Sequence, residues 1–428
     1  MIQPMWSVIG LTRFGQVRRK PWQTGHAKVQ WGGICHPKNL FLSIPMLKKS
    51  ALRRLIGVLA MLLLPHAFAD DMPVKIVKIG HAAPLTGRLA SLGKDNENGA
   101  RLAVEELNTQ NIVIGGARIQ FQLVGKDDAA NPTVGVRVAN ELVAEGVAGV
   151  VGHMNSSTTI PASAVYFAAG IPQISPSATN ADYTRHGYTT AFSLTANNAA
   201  LPQVVAHYAI DTFKPARVVI VTDGTPYGNA ATLSFEDTAA RAQEQMLERV
   251  VIGPNQTNFT NEAERIRELA PDLVYFGGMD KTAAPLLNAI HAAGADPYFV
   301  GDDGICTESM ARLADNADKA ICGISEGKLF SNSAAIDDFK ARYKSRFGYE
   351  PIAFSPYAYD GVKLLVQAMR KADSTDPKRY LGALKAIDYA GVMNDYQFGP
   401  EGDNLYRTVN IYGFKNRRKA VLATLEAR

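Results

Sequence analysis

The stretch Val147–Pro161, VAGVVGHMNSSTTIP, decides the fold. Its first half, VAGVVGH, is a continuous apolar run of the kind that forms a strand buried on both faces. A helix-forming segment, PASAVYFAAG, follows, and then a second short strand, IPQIS. Four hydroxyl residues sit where the strand hands over to the helix. The first N–H groups of that helix lack partners within it. Either Ser and Thr side chains cap them, or a bound anion does, helped by the helix dipole.

The alternation of strand and helix extends outward in both directions. Upstream lie strand VKIVKIGHAAP, helix NENGARLAVEELNTQ, strand RIQFQLVGKDD and helix TVGVRVANELVAEG, which closes on Gly146. Downstream the rhythm restarts: LPQVVAHYAIDTF, ARVVIVTDG, NAATLSFEDTAARAQ, ERVVIG, TNEAERIRELA, DLVYFGG, AAPLLNAIHAAG, PYFVGDDG. Such alternation builds parallel sheets with helices on both faces. Two successive runs predict an α/β chain with two Rossmann-like, doubly wound lobes. From about Ser325 two helices, AIDDFKARYKSRFG and AFSPYAYDGVKLLVQAMRKA, follow without a strand. A strand pair, NDYQFGP and RTVNIYGFKN, then ends the chain. Those helices are expected to pack back on the first lobe, so that the chain crosses repeatedly and forms a hinge. The predicted division is 70–195 with 326–408, and 196–325 with 409–428.

The first 69 residues read as a leader. They hold ten Lys and Arg and no acid; removing them takes the basic count from 45 to 35 against 40 acids, and the net charge from +5 to −5. The basic footprint of a nucleic-acid binder therefore disappears. MLKKSALRR, LIGVLAMLLL and AFA form the basic, apolar and small-residue parts of a signal peptide, 46–69, cut before Asp70. Residues 1–45, with all three tryptophans, are read as a start placed too early. Export to the periplasm is the expectation. Asp70 rather than cysteine after the cut argues against a lipid anchor. Two cysteines remain, Cys306 and Cys322, and an even count in an exported chain favours a disulfide over two buried thiols.

No Walker loop, G-x-S-x-G elbow, H-E-x-x-H or C-x-x-C is present in the mature chain, and its five histidines show no metal-ligand spacing. No enzyme, cofactor or metal is expected. What remains are polar loops at the carboxyl ends of strands, where open α/β sheets bind ligands. They are the opening stretch; ISPSATN with Ser177 and Thr179; TDGTPYGNA with Tyr227; and GDDGIC with Asp302 and Asp303. Taken singly, each also reads as a cap or a polar turn. A carboxylate in a cleft, however, can neutralise a ligand ammonium that is otherwise costly to bury.

The ordered set VKIGHAAPLTG, GKDNENGARLAVEELN, KDDAANP, VVGHMNSSTTIPAS, IPQISPSATN, VTDGTPYG, VYFGGMD and GDDGICT resembles the periplasmic leucine/isoleucine/valine-binding proteins, the substrate-binding components of branched-chain amino acid ABC transporters. The resemblance runs from about Val74 to the C-terminus. It implies the type I periplasmic binding fold, with a three-strand hinge and closure on an amino acid. It places the ligand carboxylate at Ser156, the ammonium at Ser177, Thr179 and Asp303, and Tyr227 on the closing lobe. Leu92, Asn155, Met279 and Phe354 are the expected pocket lining. Leu92 and Met279 stand where relatives carry aromatic residues, and Asp303 where they often carry Glu. A softer aliphatic pocket follows, with selectivity among Leu, Ile and Val left open. Ala130 and Asn155 occupy positions that some relatives bridge by a disulfide, so Cys306–Cys322 would instead clamp a helix hairpin of the second lobe. The implied partner is a membrane permease, and the protein is expected to be a monomer. The same fold binding an amide, urea or aromatic acid is the alternative.

Overall fold

Val74–Ala83 (β1) is exposed at its start and buried over its last five residues, where it runs through the centre of a sheet. The computed structural model describes residues 72–242, 244–315, 317–327 and 329–426; the proposed leader and early start lie outside the described residues. Helix Ala90–Asn108 (α1) leads to a hairpin of Val113–Ile114 (β2) and Ala117–Asp127 (β3). Pro132–Ala144 (α2), Val150–Gly152 (β4), Ser156–Ala169 (α3), Gln173–Ser175 (β5), Asp182–Arg185 (α4) and Ala191–Ser193 (β6) complete the run. The six strands are ordered β2-β3-β1-β4-β5-β6, parallel except for the β2–β3 hairpin.

The second sheet repeats the plan. It is built from Leu201–Phe213 (α5), Arg217–Thr222 (β7), Pro226–Arg241 (α6), Gln245–Val251 (β8), Thr260–Leu269 (α7), Leu273–Gly277 (β9), Asp280–Ala292 (α8), Tyr298–Gly301 (β10), Glu308–Leu313 (α9) and Ala320–Ser325 (β11). Helices Leu329–Phe347 (α10), Ser355–Lys371 (α11) and Pro377–Lys385 (α12) then return to the first lobe, whose core holds Phe339, Tyr343, Leu365 and Tyr380 beside Ile79, Val151 and Phe192. Asp388–Ala390 (β12) and Asp395–Gln397 (β13) pair with each other. Thr408–Lys415 (β14) and Arg418–Glu426 (β15) close the second sheet, ordered β15-β14-β11-β10-β9-β7-β8. The expected final strand pair is therefore corrected. NDYQFGP pairs with β12, whereas RTVNIYGFKN pairs antiparallel with β11 and β15. The latter is buried along nearly its whole length between β11 and β15, which leaves no edge for β13.

The chain crosses between lobes after β6, β11 and β13, and side chains tie the three crossings together. Ala196 N–H donates to Ser325 Oγ at 3.0 Å, Asn404 Nδ2 to Leu194 O at 3.4 Å, and the Tyr357 hydroxyl to Ser325 O. Two close approaches fix the first lobe around the cleft. Gly152 ends β4 at φ 145°, where a Cβ would lie 2.7 Å from Ala82 O. Gly99 on α1 lets the start of α11 come so near that a Cβ would sit 1.9 Å from Ser355 O. The disulfide Cys306–Cys322 joins the loop before α9 to β11, with Cα atoms 5.3 Å apart. It thus clasps a helix-to-strand connection, not a helix hairpin, because Cys322 lies on a central strand.

Candidate functional site

The opening stretch folds as its pattern requires. Asn155 is extended at the N-cap, and α3 begins at Ser156. Thr158 and Thr159 N–H both donate to Asn155 O, at 3.1 and 2.8 Å. The Thr158 hydroxyl donates to Asn155 O and the Thr159 hydroxyl to His153 O, so both threonines serve the helix start itself. The N–H groups of Ser156 and Ser157 take no acceptor among the described residues. Asn155 does not cap with its side chain, and its buried Oδ1 has no partner. Two free donors at the positive end of a 14-residue helix thus meet the cleft.

A buried network holds this loop from behind. His153 is bonded to Asp128 at 2.8 Å and to the Tyr166 hydroxyl at 3.1 Å. Its carbonyl also accepts from Ser175 Oγ at 3.3 Å. Ser156 Oγ accepts from Asn180 N–H at 3.3 Å. The Ser177 hydroxyl is already spent on Met154 O, at 2.9 Å.

The second lobe presents the opposite polarity. Tyr227 stands in the first turn of α6, whose Thr225 cap accepts from Gly228 N–H at 3.0 Å. The Tyr227 hydroxyl donates to Asp303 Oδ1 at 2.8 Å and accepts from Gly304 N–H at 3.0 Å. Asp303 Oδ2 takes no protein donor among the described residues. Burial pushes the Asp303 carboxyl up to about 6, against the pull of the Tyr227 and Gly304 bonds. Asp302 is different: it accepts from the Tyr275 hydroxyl at 2.6 Å, and burial pushes it well above the carboxylate range. It packs behind the cleft, so Asp303 is the carboxylate that lines it.

The cleft measures ≈ 270 Å³. That is near the roughly 300 Å³ lower end of small-molecule sites. It brings together Ser156, Ser177, Tyr227, Asp303, Asn155, Met279 and Phe354. Two expected members do not line it. Leu92 is buried behind Phe354, packed with Met154 and Tyr357, because α1 presents that face to α11. Thr179 lies one step beyond the wall. Its carbonyl accepts from Asn198 N–H at 2.6 Å, and its buried hydroxyl has no partner. Leu89, Met279 and Phe354 supply the apolar wall.

Sequence reasoning missed three contributors. Asp223 lines the cleft beside Tyr227, with its carboxyl raised by burial. Arg88 enters from the loop before α1. Asp95 never touches the cleft but builds its wall. Its carboxylate accepts from the N–H groups of Ile352, Ala353, Phe354 and Ser355 at 2.9–3.0 Å, and from the Tyr343 hydroxyl at 3.0 Å. Only the Pro at the start of α11 hinted at a helix terminus in need of an acceptor.

Two lobes meeting at a small cleft, with helix donors on one side and a carboxylate on the other, define a bilobal ligand-binding protein. The chain belongs to the periplasmic binding protein family, whose profile matches residues 76–419. Its members are substrate-binding proteins, not catalysts. It is 32% identical over 336 residues to Leu/Ile/Val-binding protein homolog 1 of Brucella abortus, covering 76% of this chain and 87% of that one. Its fold matches the substrate-binding protein of a Streptococcus pneumoniae branched-chain amino acid transporter, solved with isoleucine. The TM-score is 0.74 at 26% identity, over 82% of this chain and 99% of the other. A Rhodopseudomonas palustris solute-binding protein, solved with 3,4-dihydroxybenzoic acid, shares the fold with TM-score 0.72 at 19% identity, over 82% and 98%. The chain is thus a substrate-binding protein of the ABC transporter type.

Proposed function

We propose that the protein captures an aliphatic amino acid of the branched-chain type in this cleft and delivers it to a membrane permease. The supporting observation is the pairing of polarities. The free N–H groups of Ser156 and Ser157 suit a carboxylate, while Asp303 Oδ2 and the Ser177 carbonyl suit an ammonium. The apolar wall of Leu89, Met279 and Phe354 suits a short aliphatic side chain. Tyr227 arrives from the second lobe, so a ligand that touches both lobes binds the closed state better and shifts the hinge toward it. The leader read at 46–69, with Asp70 rather than cysteine after the cut, supports work in the periplasm without a lipid anchor, where we take the protein to act as a monomer. Calorimetric titration with leucine, isoleucine, valine, benzoate and urea tests the reading. Saturable binding of the three amino acids is expected. Binding of benzoate or urea alone would replace the amino acid with the alternative ligand class.

A further inference from the structure

We propose that Arg88 and Pro285 form a two-part latch that holds the lobes closed over the cleft without selecting the ligand. Arg88 comes from the first lobe and donates only to backbone carbonyls of the second. Its Nη2 lies 2.8 Å from Lys281 O, and its Nη1 lies 3.3 Å from Asn255 O and 3.5 Å from Gln256 O. No carboxylate pairs with Arg88 among the described residues. These bonds span the lobes, so they form only when the lobes approach.

The acceptor is free for a reason written in the sequence. In an α-helix the carbonyl of residue i takes the N–H of residue i+4. Four residues beyond Lys281 on α8 stands Pro285, which has no N–H. Lys281 O is therefore an orphan inside a regular helix, and a guanidinium from the other lobe fills its need. Both sides are set in advance. The loop that carries Arg88 is pinned by Asp127, which accepts from Leu85 N–H at 2.8 Å and from the Thr86 hydroxyl at 2.6 Å. On the facing lobe the Thr282 hydroxyl donates to Pro254 O at 3.1 Å, tying the 254–256 carbonyls to α8. A planar donor fork directed at fixed carbonyls loses little freedom on closing.

The latch rests on the proposed ligand class only for its affinity test. Arg88→Ala should weaken L-leucine binding about tenfold by calorimetry, with the change in the dissociation rate measured by surface plasmon resonance. Leucine, isoleucine and valine should all weaken by the same factor. Pro285→Ala restores an N–H that competes for Lys281 O, and should weaken leucine about threefold while its melting temperature stays at or above wild type. Arg88→Ala affinity within twofold of wild type overturns the latch. So does a changed ranking of the three amino acids, or a Pro285→Ala protein that binds as tightly as wild type. If wild type binds none of the three, the proposed ligand class fails. The latch is then judged by small-angle scattering of ligand-free protein: a larger radius of gyration in Arg88→Ala supports it, and an equal radius overturns it.

Discussion

Lowering the pH from 7.5 to 5 should weaken amino acid binding through Asp303, with Asp303→Asn separating its share from that of Asp223 on the same wall. In the ligand-free cleft burial holds this carboxyl up to about 6. An ammonium beside Oδ2 favours the ionised form, so the bound complex holds fewer protons than the free protein. Binding therefore releases protons, and affinity rises with pH until Asp303 is ionised in the free protein. With a free-state value of about 6, the dissociation constant should be about twofold higher at pH 6 than at 7.5, and about elevenfold higher at pH 5. An ordinary aspartate near 3.9 would leave it almost flat over the same range, about 8% higher at pH 5. Calorimetry in two buffers of different ionisation heat reads the same linkage directly. About half a proton should leave per ligand at pH 6, and almost none at pH 7.5. Asp303→Asn should lose both affinity and this share of the pH dependence. A flat affinity between pH 7.5 and 5, or proton uptake at pH 6, would refute the placement of the ammonium on Asp303.

Three further outcomes follow from the same geometry. Ser156→Ala keeps the helix N–H groups and removes only one hydroxyl, so affinity should fall about fivefold, or about 1 kcal/mol, by calorimetry. Asp95→Ala strands four N–H groups and the Tyr343 hydroxyl; thermal or urea unfolding should show a loss of about 3–5 kcal/mol. Reducing Cys306–Cys322, whose sequence separation is 16, should cost about 3 kcal/mol of unfolding free energy, with ligand affinity almost unchanged.

The two-lobe architecture was legible because its signals are local. Apolar runs such as VAGVVGH and ARVVIV mark central strands, and helical spacing marks what lies between them. The Ser156 loop, Tyr227 and Asp303 were legible for the same reason: each sits at a strand end that its own flanking residues identify. Leu92 and Thr179 went astray because lining a cleft depends on which face of a segment turns toward it. α1 turns Leu92 toward α11 instead. Asp95 was invisible because its acceptor role is defined by N–H groups more than 250 positions away. Arg88 was equally silent: it bonds to carbonyls, and a carbonyl has no residue type to read. The pairing of β13 was misjudged because β12 is only three residues long and carries no strand signature.

The return of the chain to the first lobe sets an order of events during synthesis. Strands β1–β6 are complete once Ser193 has been made, yet Phe339, Leu365 and Tyr380 of their core are still to come. The five parallel strands of the other lobe, β7–β11, are translated in the meantime as one uninterrupted segment. The lobe begun first is thus finished after most of the lobe begun second. For that interval α1 covers only part of that face of its sheet, a long-range closure of the kind that slows folding and invites association. Asp95 is part of the same delayed assembly, since the backbone groups it gathers at 352–355 emerge only after the second sheet has its central strands.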